Sequence, residues 1–525
     1  MPTMGNVGEF SKELRTEVLV VGAGPTGLLL AGVLTRLGVD VVLTDGKSGP
    51  TRESRALVLQ ARTMEILDQL GMIDPVLSET TTATAASPGF ERTSFGRVPV
   101  GRIGAGVSPF PGLHVLEQSR TESILVDALE QLGGTVLWGH QLTSLHTPGT
   151  GDTAIDAEVN GPDGPLRIRA RYCVGTDGAS SLVRKLRGIP FEGVTNEHTF
   201  YVADAHGVTG LEPEAVNIRF GTDDFLITFP MAPGGDDRLL GTIRLSGSDD
   251  MVTESAARAK LSQVFGVRYD WVSWFSTYRI SHRVAARFRD GPVFLAGDAG
   301  HVHSPVGAQG MNTGLQDAHN LGLTLASVLR NGADLAVLDR YEAERRPVAL
   351  RLVSTTDRAF GIVTGTSAFS RFVRRRASRV IVPIIVGVVP RLPGARRIFE
   401  YLSQTRIHYW MSAEAKATGR RGRVVGRRLS WTGTNFDVLR SLDWQVHTYG
   451  VVDRRHAVRV TSALRLPLHS FPAVGSSRLS TGWFYLVRPD GFVAAEAIGD
   501  EAIETFRRAL AEHGVRRDRP VGKVR

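Results

Sequence analysis

Cysteine is almost absent from this sequence of 525 residues, which contains only Cys173. One thiol cannot form an intrachain disulfide, a CxxC redox pair or a cysteine-based zinc site, so no metal site is predicted. Cys173 lies between Tyr172 and Val174 in an apolar run. This context indicates a buried structural thiol rather than a nucleophile.

Long apolar segments are also missing. The N-terminus, MPTMGNVGEFSKELRTE, has no apolar core of a signal peptide, and the longest apolar run, residues 380–390, contains two prolines. It is too short to span a bilayer. We therefore expect neither secretion nor a transmembrane segment, and a cytoplasmic location. The net charge of +9 comes mostly from arginine. Because no RNA- or DNA-binding motif accompanies it, no nucleic-acid partner is expected, and the charge also suits anionic cofactors.

A dinucleotide-binding fingerprint lies near the N-terminus. The segment EVLVVGAGPTGLLL predicts a buried strand, the turn Gly22-x-Gly24-Pro25-Thr26-Gly27 and an apolar helix, and a second strand ends in Asp45. The first glycine makes the turn, the second lets a pyrophosphate approach, and the third lets the helix pack closely. Asp45, without an adjacent arginine, favours an unphosphorylated adenosine ribose, as in FAD or NAD.

A second strand, loop and helix lie in the stretch from Gly291 to Gly322. An apolar strand at 293–296 ends in Gly297-Asp298, a loop of Gly, Pro and Ser follows, and a helix begins near Met311-Asn312. The acid can accept a sugar-like hydroxyl, and the free N–H groups of the helix can face negative charge. Gly310 leaves room for a flat ligand. Alone, the stretch is equally well interpreted as an ordinary turn with a solvated acid.

Three further positions are candidates. Gln118 stands at a strand-to-helix junction, where it either contacts a ligand or caps the helix. Asp177-Gly178 ends a strand, with Arg184 in the helix beyond. Arg55 precedes a helix, which suits a phosphate, although a solvated charge is the simpler interpretation.

Taken in order, the GxGxxG turn, Asp177-Gly178 and Gly297-Asp298 resemble the class A flavoprotein aromatic hydroxylases, the p-hydroxybenzoate-hydroxylase-like monooxygenases. The phrase GMNTGLQDAHNL at 310–321 resembles the flavin-binding helix of that family, and Gln118 with Glu122 matches its QxxxE element. The resemblance covers residues 15 to 360. The sequence departs from the family pattern at Ala299-Gly300 and at Gly322-Leu323, both next to the expected flavin.

The resemblance implies an α/β fold: a Rossmann-like FAD-binding domain, an inserted β-sheet substrate domain and a C-terminal thioredoxin-like domain. The corresponding division is 1–190 for the first part of the FAD-binding domain, with substrate-domain strands near 80–110, then 191–290 for the substrate domain. Residues 291–418 complete the FAD-binding domain and a helical region, and 419–525 form the thioredoxin-like domain. Lacking cysteine, that last domain cannot perform dithiol chemistry.

The resemblance also assigns roles to the candidate residues. The turn at Gly22, Gly24, Pro25, Thr26 and Gly27 would hold the ADP half of FAD together with Asp45. Other groups would reach the pyrophosphate and the ribityl chain, namely Arg55, Gln118 and Asp298. Asp177, Gly178 and Arg184 would serve FAD and the nicotinamide cofactor. The backbone at Gly310, Met311 and Asn312 would face the flavin N1/O2 edge, and no catalytic side chain is identified.

The implied activity is hydroxylation of a phenolic or polycyclic small molecule with FAD, O2 and NADPH or NADH, through a C4a-hydroperoxyflavin. Epoxidation, Baeyer–Villiger or decarboxylating chemistry on the same scaffold is the alternative, followed by a flavin-binding protein without turnover. The basic run between Arg371 and Arg379 suits either a membrane surface or a solvated helix face, and the second is favoured. The sequence leaves open the substrate, its regiochemistry, the choice between NADPH and NADH, and the oligomeric state, a homodimer included.

Overall fold

The computed structural model describes residues 12–52, 56–147, 154–222, 224–232, 234–242, 253–303, 308–364, 394–409, 423–473, 475 and 478–515. The α-helices α1 to α12 are, in chain order, Pro25–Arg36, Ala61–Gln69, Ile73–Glu79, Val100–Gly104, Gln118–Gln131, Leu182–Leu186, Glu254–Lys260, Gly310–Leu329, Asp339–Thr364, Ala395–Leu402, Arg454–Leu464 and Glu501–Glu512. The strands β1 to β23 are Glu13–Val21, Val41–Asp45, Val58–Leu59, Thr81–Ala83, Ala85–Phe90, Thr93–Ser94, Leu113–Val115, Val136–Trp138, Gln141–His146, Ile155–Gly161, Gly164–Gly175, Phe191–His206, Ala215–Phe220, Phe225–Ala232, Asp236–Thr242, Trp271–Ala285, Arg289–Asp290, Val293–Leu295, His301–Val302, Gln445–Tyr449, Leu468–Phe471, Trp483–Val487 and Val493–Ile498.

A largely parallel sheet forms the centre of the first region. Its path is β17-β18-β11-β1-β2-β8, with β10 and β9 added beside the first half of β11. Strand β1 pairs in parallel with both β11 and β2, and the end of β11 pairs in parallel with β18. The side chains of β1 from Val18 to Val21 are buried, as the continuous apolar run predicts for a strand covered on both faces. This sheet and helices α1 and α8 enclose the largest apolar core.

Helices α1 and α8 pack closely because glycine occurs where they meet. A Cβ added to Gly314 would lie 2.4 Å from the Thr26 hydroxyl, and one added to Gly322 would lie 2.7 Å from the Val33 side chain. Gly322 is one of the two places where the sequence departs from the family pattern. Its physical reason is therefore local packing: a larger side chain at this position would push α8 away from α1.

A second, mainly antiparallel sheet has the order β19-β16-β12-β15-β14-β13-β5-β6. Strands β12 to β16 come from residues 191–285, whereas β5 and β6 come from residues 85–94 and β19 from 301–302. Because β19 directly follows the Gly297-Asp298 loop, it joins that loop to the edge of the second sheet. A small third sheet has the order β3-β7-β4. Its strand β3 precedes α2, and its strand β7 precedes α5.

The pattern from Leu325 to Val353 indicates a helical segment, which the structure divides into separate helices. Helix α8 ends at Leu329, a short 3-10 helix spans Leu335–Leu338, and α9 begins at Asp339. The break follows from Gly332, whose φ of +66° lies in the left-handed region. The basic run at 371–379 lies outside the described residues. No helix among those that are described is both long enough and apolar enough to cross a bilayer.

The C-terminal region contains a four-stranded sheet of order β21-β20-β22-β23, with its own apolar core against α11 and α12. Polar groups join this region to the first one. Arg62 of α2 donates to the Asp490 carbonyl at 2.7 Å, and Gln69 donates to the Leu439 carbonyl at 2.9 Å. On the other side, Arg488 forms a two-pronged ion pair with Glu344 of α9, at 2.7 and 3.0 Å.

Candidate active site

Three loops meet where three parallel strands end. Val21 of β1 lies opposite Gly175 of β11, which lies opposite Leu295 of β18. The GxGxxG turn, the Asp177-Gly178 loop and the Gly297-Asp298 loop therefore leave the sheet side by side. In open α/β sheets, ligands bind outside the carboxyl ends of the strands. The structure thus brings together three motifs that lie more than a hundred residues apart in sequence.

The glycine turn combines two close contacts with one open position. A Cβ on Gly22 would lie 2.6 Å from the Thr176 backbone, and one on Gly27 would lie 1.9 Å from the Gly22 carbonyl oxygen. In contrast, a Cβ on Gly24 would meet no atom of the described chain within 4 Å. Gly22 and Gly27 are therefore required for packing, whereas Gly24 keeps a space open at the start of α1.

Asp45 lies at the end of β2, beside the glycine turn. Its carboxylate accepts hydrogen bonds from the backbone N–H of Ala23 at 2.7 Å and of Lys47 at 2.8 Å. Behind it, the fully buried Glu122 accepts from the side chain of Gln118 at 2.8 Å and from the Thr51 N–H at 2.7 Å. Glu122 therefore holds Gln118 in place, and the QxxxE spacing places both residues on one side of α5.

The Asp177-Gly178 loop is held by its own helix. Asp177 accepts from the N–H groups of Leu182 and Val183 at 2.6 and 3.1 Å, while its second oxygen is buried and has no hydrogen-bond partner in the described part of the chain. Arg184 is buried and donates to the carbonyls of Ala179 and Ala299, each at 2.8 Å. It connects this loop to the Gly297-Asp298 loop, a positioning role that the sequence did not indicate.

A buried ionic cluster supports the Gly297-Asp298 loop from behind. Asp317 of α8 accepts from the Gly297 N–H at 3.2 Å, contacts His301 Nε2 at 2.7 Å and pairs with Arg345 at 2.7 Å. Burial alone would raise the pKa of Asp317, but the charges of Arg345 and His301 hold it below its usual value. The Asp298 side chain is exposed at the cavity. Desolvation by the surrounding protein raises the pKa of its carboxyl above the usual value, and the charge of His301 offsets only part of this shift.

Helix α8 begins with N–H groups that face the same space. Among the described residues, no hydrogen bond satisfies the N–H groups of Gly310, Met311 or Asn312, as expected for the first turn of a helix. The buried Asn312 side chain has a different task. It accepts from the Gln60 N–H at 2.7 Å and donates to the carbonyls of Val58 and Ala308 at 2.8 Å, which anchors the start of α8.

These loops surround a cavity of about 740 Å³. Of the predicted site residues, eight line it: Gly24, Pro25, Thr26, Gln118, Gly178, Asp298, Gly310 and Met311. Six others support those that line it: Gly22, Gly27, Asp45, Asp177, Arg184 and Asn312. Arg55 lies outside the described residues.

The opposite wall of the cavity is one face of the second sheet, and it contains a charged group, Arg238, that the sequence did not single out. Residues two apart along the strands line it: Ile227 and Phe229 of β14, Arg238 and Leu240 of β15, and Trp274, Ser276 and Tyr278 of β16. Alternation along a strand is the sequence signal for a common face, but it does not reveal which of the two faces is turned to the cavity.

Arg238 is the buried charge on this wall. Its guanidinium forms a two-pronged ion pair with Asp204 of β12, at 2.5 and 2.7 Å, and lies 5.5 Å from the Trp274 ring. Asp204 stands opposite both residues in the sheet register, so the three form one row across the wall. A second acid, Glu117, lies 3.6 Å from Arg238. The row is a rigid polar site within an otherwise aromatic and aliphatic surface.

Comparison with known proteins identifies the family. A family model described as "FAD binding domain" matches residues 15–356. The rifampicin monooxygenase of Rhodococcus hoagii is 32% identical over 522 residues, covering 93% of this chain and 96% of that protein. The chain belongs to the class A flavin monooxygenases. It is therefore an enzyme that binds FAD, as the sequence predicted.

Solved structures agree with this monooxygenase fold. The anhydrotetracycline hydroxylase OxyS from Streptomyces rimosus matches with a TM-score of 0.73 and 29% identity, covering 95% of this chain and 98% of that one. CabE, an aromatic hydroxylase from angucycline biosynthesis, matches with a TM-score of 0.74 and 28% identity, covering 95% and 99%. The α/β FAD-binding hydroxylase fold thus extends over nearly the whole monooxygenase chain.

The residues of the cavity fit FAD. The open space beside Gly24 and Gly178 would take backbone-bound phosphates, since a Cβ at either position would meet no described atom within 4 Å. Asp298 offers an exposed carboxylate to hydroxyl groups, and the N–H groups at the start of α8 offer positive charge to an anionic ring edge. The residues that line the monooxygenase cavity therefore fit the cofactor that the family binds.

Proposed function

We propose that this monooxygenase uses NADPH or NADH and O2 to hydroxylate an aromatic small molecule, phenolic or polycyclic. The observation that carries the proposal is the shape of the cavity. One wall consists of the GxGxxG turn and the loops at Gly178 and Asp298. The other is the sheet face with Phe229, Trp274 and Tyr278, a surface suited to stacking a flat aromatic ring. Relatives named for anhydrotetracycline and rifampicin support a large ring system.

The family resemblance assigns the proposed roles, and the positions of the described residues support them. Gly24 and Gly178 bind the phosphates, and the family resemblance assigns Arg55 to the same task. Asp45 binds the adenosine ribose. Gln118 and Asp298 bind the ribityl chain. When bound, FAD supplies the electron transfer and the activation of O2. The N–H groups of Met311 and Asn312 stabilise negative charge at the N1/O2 edge. Asp177 and Arg184 hold the two loops in register.

On the substrate side, Arg238 orients the ring that reacts. The positive charge of the guanidinium would attract a phenolate oxygen of the substrate. Trp274 and Phe229 would hold the ring flat and exclude water. Asp204 keeps the guanidinium in one orientation, because a two-pronged ion pair fixes its plane. This arrangement favours a substrate that carries an acidic hydroxyl.

For the C-terminal region we propose a thioredoxin-like domain that has no redox chemistry. In support, β20 is parallel to β21 and antiparallel to β22, and the helices α11 and α12 follow β20 and β23. Its contacts with α2 and α9 suit a structural role behind the FAD site. The division 1–190, 191–290, 291–418 and 419–525 is part of the same proposal.

The test follows NADPH and NADH oxidation by the yellow, FAD-loaded enzyme against a panel of phenols and polycyclic quinones, with H2O2 assayed in parallel. We expect one ligand class to accelerate oxidation and to gain one oxygen atom as a ring hydroxyl. An epoxide or a lactone product would replace hydroxylation by epoxidase or Baeyer–Villiger chemistry. Binding of every ligand without turnover, by an enzyme whose FAD is reduced normally, would contradict the proposal.

A further inference from the structure

Another cavity, of about 230 Å³, lies between α10 and the beginning of the C-terminal region. Six arginines line it, and we call it the arginine pocket: Arg396, Arg397, Arg406, Arg427, Arg428 and Arg478. Among the described residues that line it, Glu400 is the one carboxylate. Such a concentration of one charge in a small concave space requires an explanation, because like charges repel when they are held together.

Ion pairs account for only part of the charge. Glu400 lies 3.4 Å from Arg396, and Arg428 pairs outside the pocket with Glu65 at 3.1 Å. Arg397, Arg406 and Arg478 form no ion pair with any carboxylate in the described ranges. Among the described residues, the pocket therefore contains three arginines that no carboxylate pairs with.

Arg427 lies close enough to two other guanidinium groups of the pocket to be repelled by them. Burial lowers the pKa of Arg427, and the charges of Arg478 and Arg406 lower it further. Arg428 lines the same pocket, and its buried Nε has no hydrogen-bond partner within the described structure. Buried donors without partners are rare in folded proteins and are frequently satisfied by a bound ion or water.

We propose that the arginine pocket binds a phosphate group. A phosphate carries close to two negative charges and several acceptor oxygens, which the planar forks of several arginines can contact together. A single carboxylate would neutralise only one charge. The volume admits a small anion or one end of a larger ligand, but not the aromatic substrate proposed for the main cavity.

The phosphate has two sources: free inorganic phosphate, or the 2′-phosphate of NADPH. The second is suggested by the neighbouring cavity of about 180 Å³, which shares Arg406 and Arg427 with the arginine pocket and Gln309 with the main cavity. Gln309 immediately precedes α8. This second source rests on the proposed function, whereas the phosphate site itself does not.

The experiment titrates inorganic phosphate into the FAD-loaded enzyme by calorimetry, with ionic strength held constant by potassium chloride. We expect saturable binding of one phosphate, at least tenfold weaker in the double variant Arg406→Gln/Arg478→Gln. Arg455→Gln on the exposed side of α11 is the matched control and should bind as the wild type does. Identical binding by the double variant, or no saturable binding of any phosphate ligand, would overturn the proposal.

Thermal unfolding supplies an independent measurement. Without phosphate, the double variant should unfold at the same or a higher temperature than the wild type, because two repelling charges are gone. With phosphate, the wild type and the Arg455→Gln control should gain stability through ligand linkage, and the double variant should not. A double variant that is less stable without phosphate would show instead that the arginines hold the fold together, and would contradict the proposed site.

Adenosine nucleotides distinguish the two sources. If the cofactor supplies the phosphate, adenosine 2′,5′-bisphosphate should bind at least tenfold more tightly than adenosine 5′-monophosphate. The double variant should then have a raised KM for NADPH and an unchanged KM for NADH. If the source is free phosphate, neither nucleotide should bind more tightly than phosphate, and both KM values should stay unchanged. Binding is measured without turnover, so a failed hydroxylation assay leaves this result interpretable.

Discussion

At the scale of single residues, neighbouring glycines of one turn have opposite reasons to be glycine. Gly27 is held by protein packing, since a Cβ would lie 1.9 Å from the Gly22 carbonyl oxygen, whereas Gly24 faces open space. A side chain at Gly27 should therefore disturb the fold, and one at Gly24 should compete only with a ligand. Substitution can separate the two effects.

We predict that Gly24→Val gives a folded protein that purifies without flavin, because the valine occupies the space proposed for the pyrophosphate. The measurements are the absorbance of bound flavin and the thermal unfolding of the apoprotein. Gly32→Ala is the matched control: Gly32 lies on α1, the helix that follows Gly24, a Cβ there also meets nothing within 4 Å, and the alanine favours the helix. Full flavin retention by Gly24→Val would refute the assignment.

For Arg238, we predict that Arg238→Lys lowers kcat/KM for the aromatic substrate at least tenfold, or about 1.4 kcal/mol of transition-state stabilisation. Lysine retains the charge next to Asp204 but loses the two-pronged geometry. More H2O2 should be released per NADPH because the ring is held less firmly. The rate of flavin reduction without substrate should not change. Arg97→Lys, at an exposed arginine of the same region, serves as the control.

At the scale of secondary-structure elements, the first turn of α8 is positioned by one side chain. Asn312 is fully buried and makes three hydrogen bonds, to Gln60, Val58 and Ala308. These contacts connect α8 to β3 and to the beginning of α2. The N–H groups that face the cavity are therefore held by a contact across 252 residues of sequence.

We predict that Asn312→Asp weakens FAD binding and lowers the free energy of unfolding by roughly 2–4 kcal/mol. The carboxylate can still accept from Gln60 but cannot donate to the two carbonyls, which leaves a buried charge against buried acceptors. Fluorescence titration with FAD and chemical denaturation measure the two effects. Thr324→Ala, which removes one hydroxyl-to-carbonyl contact on the same helix, should change neither by much. Equal behaviour of the two variants would contradict the anchoring role.

At the scale of the whole molecule, the C-terminal region is joined to the FAD-binding region through buried charges. Glu344 of α9 is 5% exposed, and its carboxylate accepts hydrogen bonds from both terminal nitrogens of Arg488. Arg488 also pairs with Asp490 at 2.9 Å. Burial would raise the pKa of Glu344, but the charge and hydrogen bonds of Arg488, followed by the charge of Arg340, lower it to about 2. The ionised form is therefore favoured by folding.

From this pKa we predict a stability that depends on pH. The contribution of Glu344 is fully present above the unfolded value of 4.5 and is lost as pH falls toward 2. It should reach roughly 3 kcal/mol at neutral pH. Glu344→Gln should be less stable at pH 7 and should show a flatter decline between pH 5 and 2. Glu504→Gln, at an exposed position of α12, should follow the wild type. Denaturant midpoints across this range provide the measurement.

Much of the cofactor side was determined by the sequence alone. The strand, glycine turn and helix from Val18 to Leu30 are made by consecutive residues, so the sequence alone is enough to recognise them. The same holds for the strand before Gly297-Asp298 and for the helix beginning at Gly310. The family, the enzyme class and FAD follow from these motifs. The helical pattern from Leu325 to Val353 did not reveal the break between α8 and α9, because the left-handed backbone of a single residue, Gly332, ends the helix there.

Only the tertiary structure decided which residues work together. Arg184 donates to a carbonyl 115 residues away, and Arg238 pairs with an aspartate on a strand 34 residues earlier. Alternation along a strand predicts which residues share a face, but the register between strands sets the partners, and the packing of the whole sheet sets which face meets the cavity. The arginine pocket has the same origin: its charges come from three separate segments, and only folding forces them together.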